Sequence, residues 1–259
     1  MSPWEALAVL IAGVAAGTIN TVVGSGTLIT FPTLLALGFA PVTANVSNNI
    51  GLVFGAITGA WGYRRELAGQ RDTLVRLIPA SLVGGVAGAL LLLRLPARAF
   101  ETIVPVLIAI ALVLVVLQPR IAAATAARRE RDGIAHRGAG PLAQTGTVLA
   151  GVYGGYFGAA QGVLLVGMLG ALLPESLQRV NATKNVLSAV VNSVAAVTFL
   201  IVAPRAVDWP AALLIAVGSV IGGLIGAGVG RRLPPRVLRG VIIVVGAVAI
   251  VRLLFGSSR

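Results

Sequence analysis

Read along its length, the chain alternates long apolar runs with short polar breaks. The runs predict helices over 5–23, 28–37, 42–62, 73–93, 99–117, 142–157, 163–173, 177–203, 209–230 and 236–255. An α-helix crosses a bilayer's hydrocarbon core with about 20 apolar residues. Eight of the segments are read as spans, while 28–37 and 163–173 are too short. Each short segment follows a break that can leave helical geometry, Gly24-Ser25-Gly26-Thr27 in one case and Gly158-Ala159-Ala160-Gln161-Gly162 in the other. The expected fold is all-α: a polytopic membrane protein of about eight transmembrane helices plus two short half-helices.

The polar positions repeat. Asn45-Val46-Ser47-Asn48-Asn49 lies 136 residues before Asn181-Ala182-Thr183-Lys184-Asn185, and the same offset pairs Gly26-Thr27-Leu28 with Gly162-Val163-Leu164. At an offset of 138, Gly84-Gly85 pairs with Gly222-Gly223, Gly88 with Gly226, and Arg94-Leu95-Pro96 with Arg232-Leu233-Pro234. Several matches in one order with a two-residue shift argue for duplication. The chain then divides into a first repeat (1–117), a polar linker (118–141) and a second repeat (142–259). The linker is too short for a core of its own and is read as a flexible extramembrane segment. Eight crossings would make the halves parallel; a short segment that re-enters the bilayer would change the parity and could invert them.

Composition sharpens the membrane reading. The 259 residues are 57% hydrophobic and 11% charged, where a soluble domain carries roughly 25% charged residues. Mean hydropathy is +0.97. A net charge of +12 would suggest nucleic acid in a soluble protein. Here the arginines are spread over the ends of apolar segments, where lipid-spanning helices carry them, so nucleic-acid binding is set aside. Residues 1–5 lack the basic residues of a signal peptide, and the first run is read as a retained helix with Trp4 at the interface. Twelve cationic side chains fall on one side of eight crossings and eight on the other, which favours both termini in the cytoplasm. The expected location is the cell (inner or plasma) membrane.

Without cysteine, and with one histidine, His136, in the linker, thiolate and imidazole metal clusters are excluded. No metal or cofactor is expected. None of the eight acidic residues lies at the centre of a predicted helix, which argues against cation transport and a carboxylate relay. Ser25 and Ser193 have no histidine within a membrane segment to activate them, so an enzyme is not expected.

What remains suits an anion. A half-helix starting at Thr27, and another at Val163, would present free N–H groups and a partial positive charge; the alternative is a kink or a tight helix contact. Asn45 with Asn49, and Asn181 with Asn185, are spaced four apart and can share a helix face. Their amides can donate to an anion, or cap and cross-link helices. Lys184, the only lysine, either neutralises a bound anion or snorkels to headgroups. The candidate substrate-binding set is Gly24, Ser25, Gly26, Thr27, Asn45, Ser47, Asn49, Gln161, Gly162, Asn181, Thr183, Lys184 and Asn185. The stripe Gly218, Gly222, Gly226, Gly230 is read as packing.

The stretch Ala16-Gly17-Thr18-Ile19-Asn20-Thr21-Val22-Val23-Gly24-Ser25-Gly26-Thr27-Leu28-Ile29-Thr30-Phe31-Pro32, followed by Ala44-Asn45-Val46-Ser47-Asn48, resembles the TauE/SafE family. Its counterpart is Gly154-Gly155-Tyr156-Phe157-Gly158-Ala159-Ala160-Gln161-Gly162 with Asn181-Ala182-Thr183-Lys184-Asn185, and the resemblance covers nearly the whole chain. Two departures stand out. Ser25 interrupts the first glycine run, and Ala159-Ala160-Gln161 replaces glycines in the second. The resemblance implies an exporter or permease for sulfite or a related organosulfur anion, with lipid and the small anion as partners and a homo-oligomer left open. No ATP-binding motif is present, so the expectation is a secondary carrier. The rivals are an anion channel and a non-transporting membrane subunit.

Overall fold

Elements begin where the sequence supplies a start. Ser2 accepts from the Glu5 backbone N–H at 3.3 Å while Glu5 accepts from the Ser2 N–H at 2.7 Å, a reciprocal cap ahead of the first apolar run. Pro3, Pro41 and Pro141 stand at first helical positions, where no N–H is required. The Ser176 hydroxyl accepts from Arg179 N–H, and Asp208 accepts from Ala211 N–H at 2.9 Å, capping two later helices.

The computed structural model describes residues 1–131 and 139–229, together with positions 240, 243 and 244. Its helices are α1 Pro3–Val22, α2 Thr27–Ala36, α3 Pro41–Gly62, α4 Arg71–Arg94, α5 Ala97–Arg131, α6 Pro141–Tyr156, α7 Gln161–Leu172, α8 Leu177–Val202 and α9 Trp209–Val229, with a 3-10 turn Pro204–Ala206 before α9. Among the described residues five are long and apolar enough to span a bilayer: α1, α4, the Ala97–Ile121 part of α5, α8 and α9. The 22 residues of α3 are diluted by its asparagines, and α6 has 16 residues. The expected helix over 236–255 lies outside the described residues.

One boundary differs from expectation. The predicted end of α5 at 117 gives way to a helix that continues through Arg131, so the polar stretch starts as helix. The cause is local: Ala122, Ala123, Ala124, Ala126 and Ala127, with the following arginines, are strong helix formers. Polarity ended the expected span there, but polarity does not end a helix.

Packing follows the glycines. α1 lies against α9 and α4 against α6, while α3 touches both α8 and α9, and α8 also meets α4. A Cβ added at Gly13 would sit 3.1 Å from the Ile215 backbone, and one at Gly226 2.8 Å from the Thr18 carbonyl. On the other pair, a Cβ at Gly151 would sit 3.1 Å from Gly84 Cα. Such close approach is what small residues allow where lipid gives no hydrophobic drive between helices. Gly230 lies outside the described residues. Ser219 of α9 clasps α3: its hydroxyl donates to Gly51 O at 2.9 Å and accepts from Gly55 N–H at 3.1 Å. Large apolar side chains face outward all round, including Trp4, Val75, Leu149, Ile201 and Leu213. Such a surface fits hydrocarbon rather than water.

Candidate functional site

The two breaks meet. α1 ends with Val23 and Gly24 N–H groups both donating to Ile19 O, at 2.7 and 3.1 Å; α6 ends with Phe157 and Gly158 N–H groups both donating to Tyr153 O, at 2.9 and 3.1 Å. Gly24 and Gly158 take left-handed backbone, φ +88° and +79°, which closes a helix without a Cβ clash. Beyond the second bend Ala160 is also left-handed at φ +60°. The Gly162 N–H then donates to Gly24 O at 3.0 Å, joining one break to the other. No side chain fits between them, since a Cβ on Gly162 would lie 3.0 Å from Gly24 O and 2.8 Å from Lys184 Cδ.

Around this junction four helix ends converge: the C-termini of α1 and α6, and the N-termini of α2 and α7. Among the described residues the N–H groups of Ser25, Gly26 and Thr27 find no acceptor in the protein, nor do those of Ala159 and Ala160. Among the described residues Ser25 Oγ, Gln161 Nε2 and Asn181 Oδ1 are buried without a hydrogen-bond partner, as is Asn49 Oδ1 on α3. A buried polar group left unpaired costs on the order of 1–3 kcal/mol, so this concentration of unpaired groups makes the junction the candidate site.

The C-terminal carbonyls of α1 are held by α8. Lys184 Nζ donates to Asn20 O at 2.9 Å and Thr21 O at 3.2 Å, and the amides of Asn181 and Asn185 both donate to Thr21 O at 3.3 Å. An ammonium here meets the negative end of the α1 dipole. The Lys184 side chain is fully buried, so its charge does not reach headgroups. A carbonyl oxygen has two lone pairs, and three donors share that of Thr21. One of them can turn to a ligand without leaving the carbonyl bare. At the end of α6 the arrangement is simpler: Asn45 Nδ2 donates to Tyr156 O at 3.0 Å.

Not every candidate side chain comes here. Ser47 accepts from the Asp208 N–H at 2.9 Å, and Thr183 donates to Gln70 Oε1 at 2.7 Å. Gln70 in turn donates to Glu66 O and Arg179 O, fixing the α3–α4 loop. Both hydroxyls therefore tie α3 and α8 to neighbouring loops. Gly24, Ser25, Gly26, Thr27, Gln161, Gly162, Asn181, Lys184 and Asn185 gather at the junction, and Asn45 holds the end of α6 beside it. None of the candidate side chains Ser25, Thr27, Asn45, Asn49, Gln161, Asn181, Lys184 and Asn185 is more than 8% exposed.

Pairing positions four apart passes over Asn48. It accepts from Thr30 Oγ1 and donates to Thr27 Oγ1 at 3.4 Å, bracing the first turn of α2. The signal that finds it is the offset of 136, which places Asn48 opposite Lys184. Aromatic rings wall one side: Phe31 and Phe157 meet edge to face at 5.2 Å, and Phe100 and Tyr156 at 5.6 Å.

Comparison with known proteins agrees with a transport architecture. Residues 9–253 match the family described as "Sulfite exporter TauE/SafE". The chain is 27% identical to "Probable membrane transporter protein YfcA" of Escherichia coli, over 93% of this chain and 87% of that protein. It is 27% identical to "Probable membrane transporter protein ORF9" of a Sinorhizobium species, over 94% and 90% of the two chains. No solved structure matches.

Proposed function

Because the chain belongs to the TauE/SafE family, whose members are multi-pass membrane transporters and not enzymes, we propose that it is a secondary carrier of a small, sulfur-containing oxyanion such as sulfite. The observation that carries this reading is the junction itself: two breaks whose Ser25, Gly26, Thr27, Ala159 and Ala160 N–H groups find no acceptor among the described residues, next to a fully buried lysine and unpaired donors on Ser25 and Gln161. Oriented N–H groups and a nearby cation are the chemistry an oxyanion requires. The proposed ligand set is Gly24, Ser25, Gly26, Thr27, Gln161, Gly162, Asn181, Lys184 and Asn185, with Asn45 and Asn49 behind it. Ser47 and Thr183 are left out, since their hydroxyls serve the loops.

The reading extends to the whole architecture. Eight crossings follow from the apolar runs, and two repeated halves, joined through 118–141, from the sequence offsets. Reciprocal packing supports them: α1 of the first half lies on α9 of the second as α6 of the second lies on α4 of the first. Movement of one half against the other would open the site to each face in turn. Burial of the site side chains, none more than 8% exposed, favours a carrier in an occluded state over an open channel.

The test is flux of radiolabelled sulfite into proteoliposomes carrying the wild type or Asn181→Ala. Saturable wild-type flux that disappears in a folded Asn181→Ala protein is the expected result. If flux is absent for sulfite and simple sulfonates under imposed proton and sodium gradients, the carrier reading fails and a non-transporting subunit takes its place.

A further inference from the structure

Resting on the anion reading above, we infer that the site is matched to a single negative charge, so that among oxyanions it takes monoanions and rejects dianions. The inference comes from a balance of charges at the junction. Each helix end carries a partial charge of about half a unit, positive at the N-terminus and negative at the C-terminus. The N-termini of α2 and α7 and the C-termini of α1 and α6 all end at the two breaks. Two positive and two negative ends cancel. The starts of α3 and α8 lie about a turn away from Asn45 and Asn181, and such effects fade within one turn.

What remains is the formal charge. Among the described residues Lys184 is the one charged residue that is buried, and no carboxylate accepts from it; its two acceptors are the neutral carbonyls of Asn20 and Thr21. Glu175 pairs with Arg179 at the head of α8, a neutral combination that is partly exposed. Asp208, whose backbone meets Ser47, caps α9 and is not buried. The occluded junction thus presents a net charge of about one positive unit. A bound monoanion makes it neutral. A dianion would leave an uncompensated negative charge away from water, which buried sites tolerate poorly.

The same balance names the residue that would change the preference. Asn48 occupies the position 136 residues before Lys184 and already lies against Thr27 at the start of α2. A second ammonium there would match a divalent ligand.

The experiment is competition against radiolabelled sulfite flux in proteoliposomes, with methanesulfonate as a fixed monoanion and sulfate as a dianion at equal ionic strength. In the wild type methanesulfonate is expected to inhibit, and sulfate to be weaker by at least about tenfold. In Asn48→Lys the gap should narrow in favour of sulfate. Wild-type inhibition by sulfate equal to or stronger than that by methanesulfonate, or sulfite flux untouched by methanesulfonate, overturns the inference while leaving anion transport standing. Absence of any sulfite flux sinks the anion reading itself. The wild-type comparison decides the matter even if Asn48→Lys does not fold.

Discussion

The ends of α1 and α6 share a bend and differ in what holds them. Both close on a left-handed glycine, Gly24 or Gly158, whose N–H reaches back five residues to Ile19 O or Tyr153 O. The end of α6 is held by one neutral amide, that of Asn45. The end of α1 is held by two amides and an ammonium, with more donors than Thr21 O has lone pairs. Where the second motif places Lys184 on a helix end, the first places Asn48 against Thr27 and Thr30. Similar backbone bends thus carry unequal electrostatics. The end of α1 meets charge and spare donors, and Asn48 supplies rigidity at the start of α2.

The sharpest break of that contrast is Lys184→Ala. It removes the buried cation and two charge-assisted bonds, so transport should fall to background, with a stability loss on the order of 3 kcal/mol. Flux together with thermal unfolding in detergent checks both. Next comes Gly24→Ala. A methyl group would run into the Gly162 backbone at a residue with φ +88°, costing about 2–4 kcal/mol and separating the breaks. Poor expression of Gly24→Ala beside normal Gly38→Ala would show it, because Gly38 has the same backbone sign and open space around it.

A smaller effect separates the two ends directly. Asn45→Ala strips Tyr156 O of its one donor and should cost about 1–2 kcal/mol, whereas Asn185→Ala leaves Thr21 O with two others and should cost less. Equal losses in unfolding midpoint would remove the contrast. Smallest are Ser47→Ala and Thr183→Ala, which should cost about 1 kcal/mol each and leave the KM for the anion unchanged. A raised KM in either variant would return that hydroxyl to the site.

Much of this fold is visible in the sequence, because apolar runs, prolines at helix starts and glycine bends act locally. Helix starts fall within two residues of their expected positions in α1 to α9, and the bends at Gly24 and Gly158 fall inside the expected breaks. The end of α5 was hidden because alanine-rich helix needs no apolar face. For the candidate site the sequence shows residue types but not the directions of side chains. Whether Lys184 points to lipid headgroups or inward depends on carbonyls 163 and 164 residues away. Ser47 and Thr183 likewise turn to partners more than 100 residues distant, which spacing on one helix cannot foretell.

Because Lys184 is the only lysine in the chain, side-chain 15N-lysine labelling gives one Nζ resonance, and that resonance lies at the proposed site. The most direct measurement of the central claim is to follow it by NMR in lipid nanodiscs while titrating methanesulfonate. An anion bound at the junction of the breaks predicts a saturating shift that excess choline chloride does not reproduce. A resonance that stays in place while the same preparation transports sulfite would put the anion elsewhere and contradict the site.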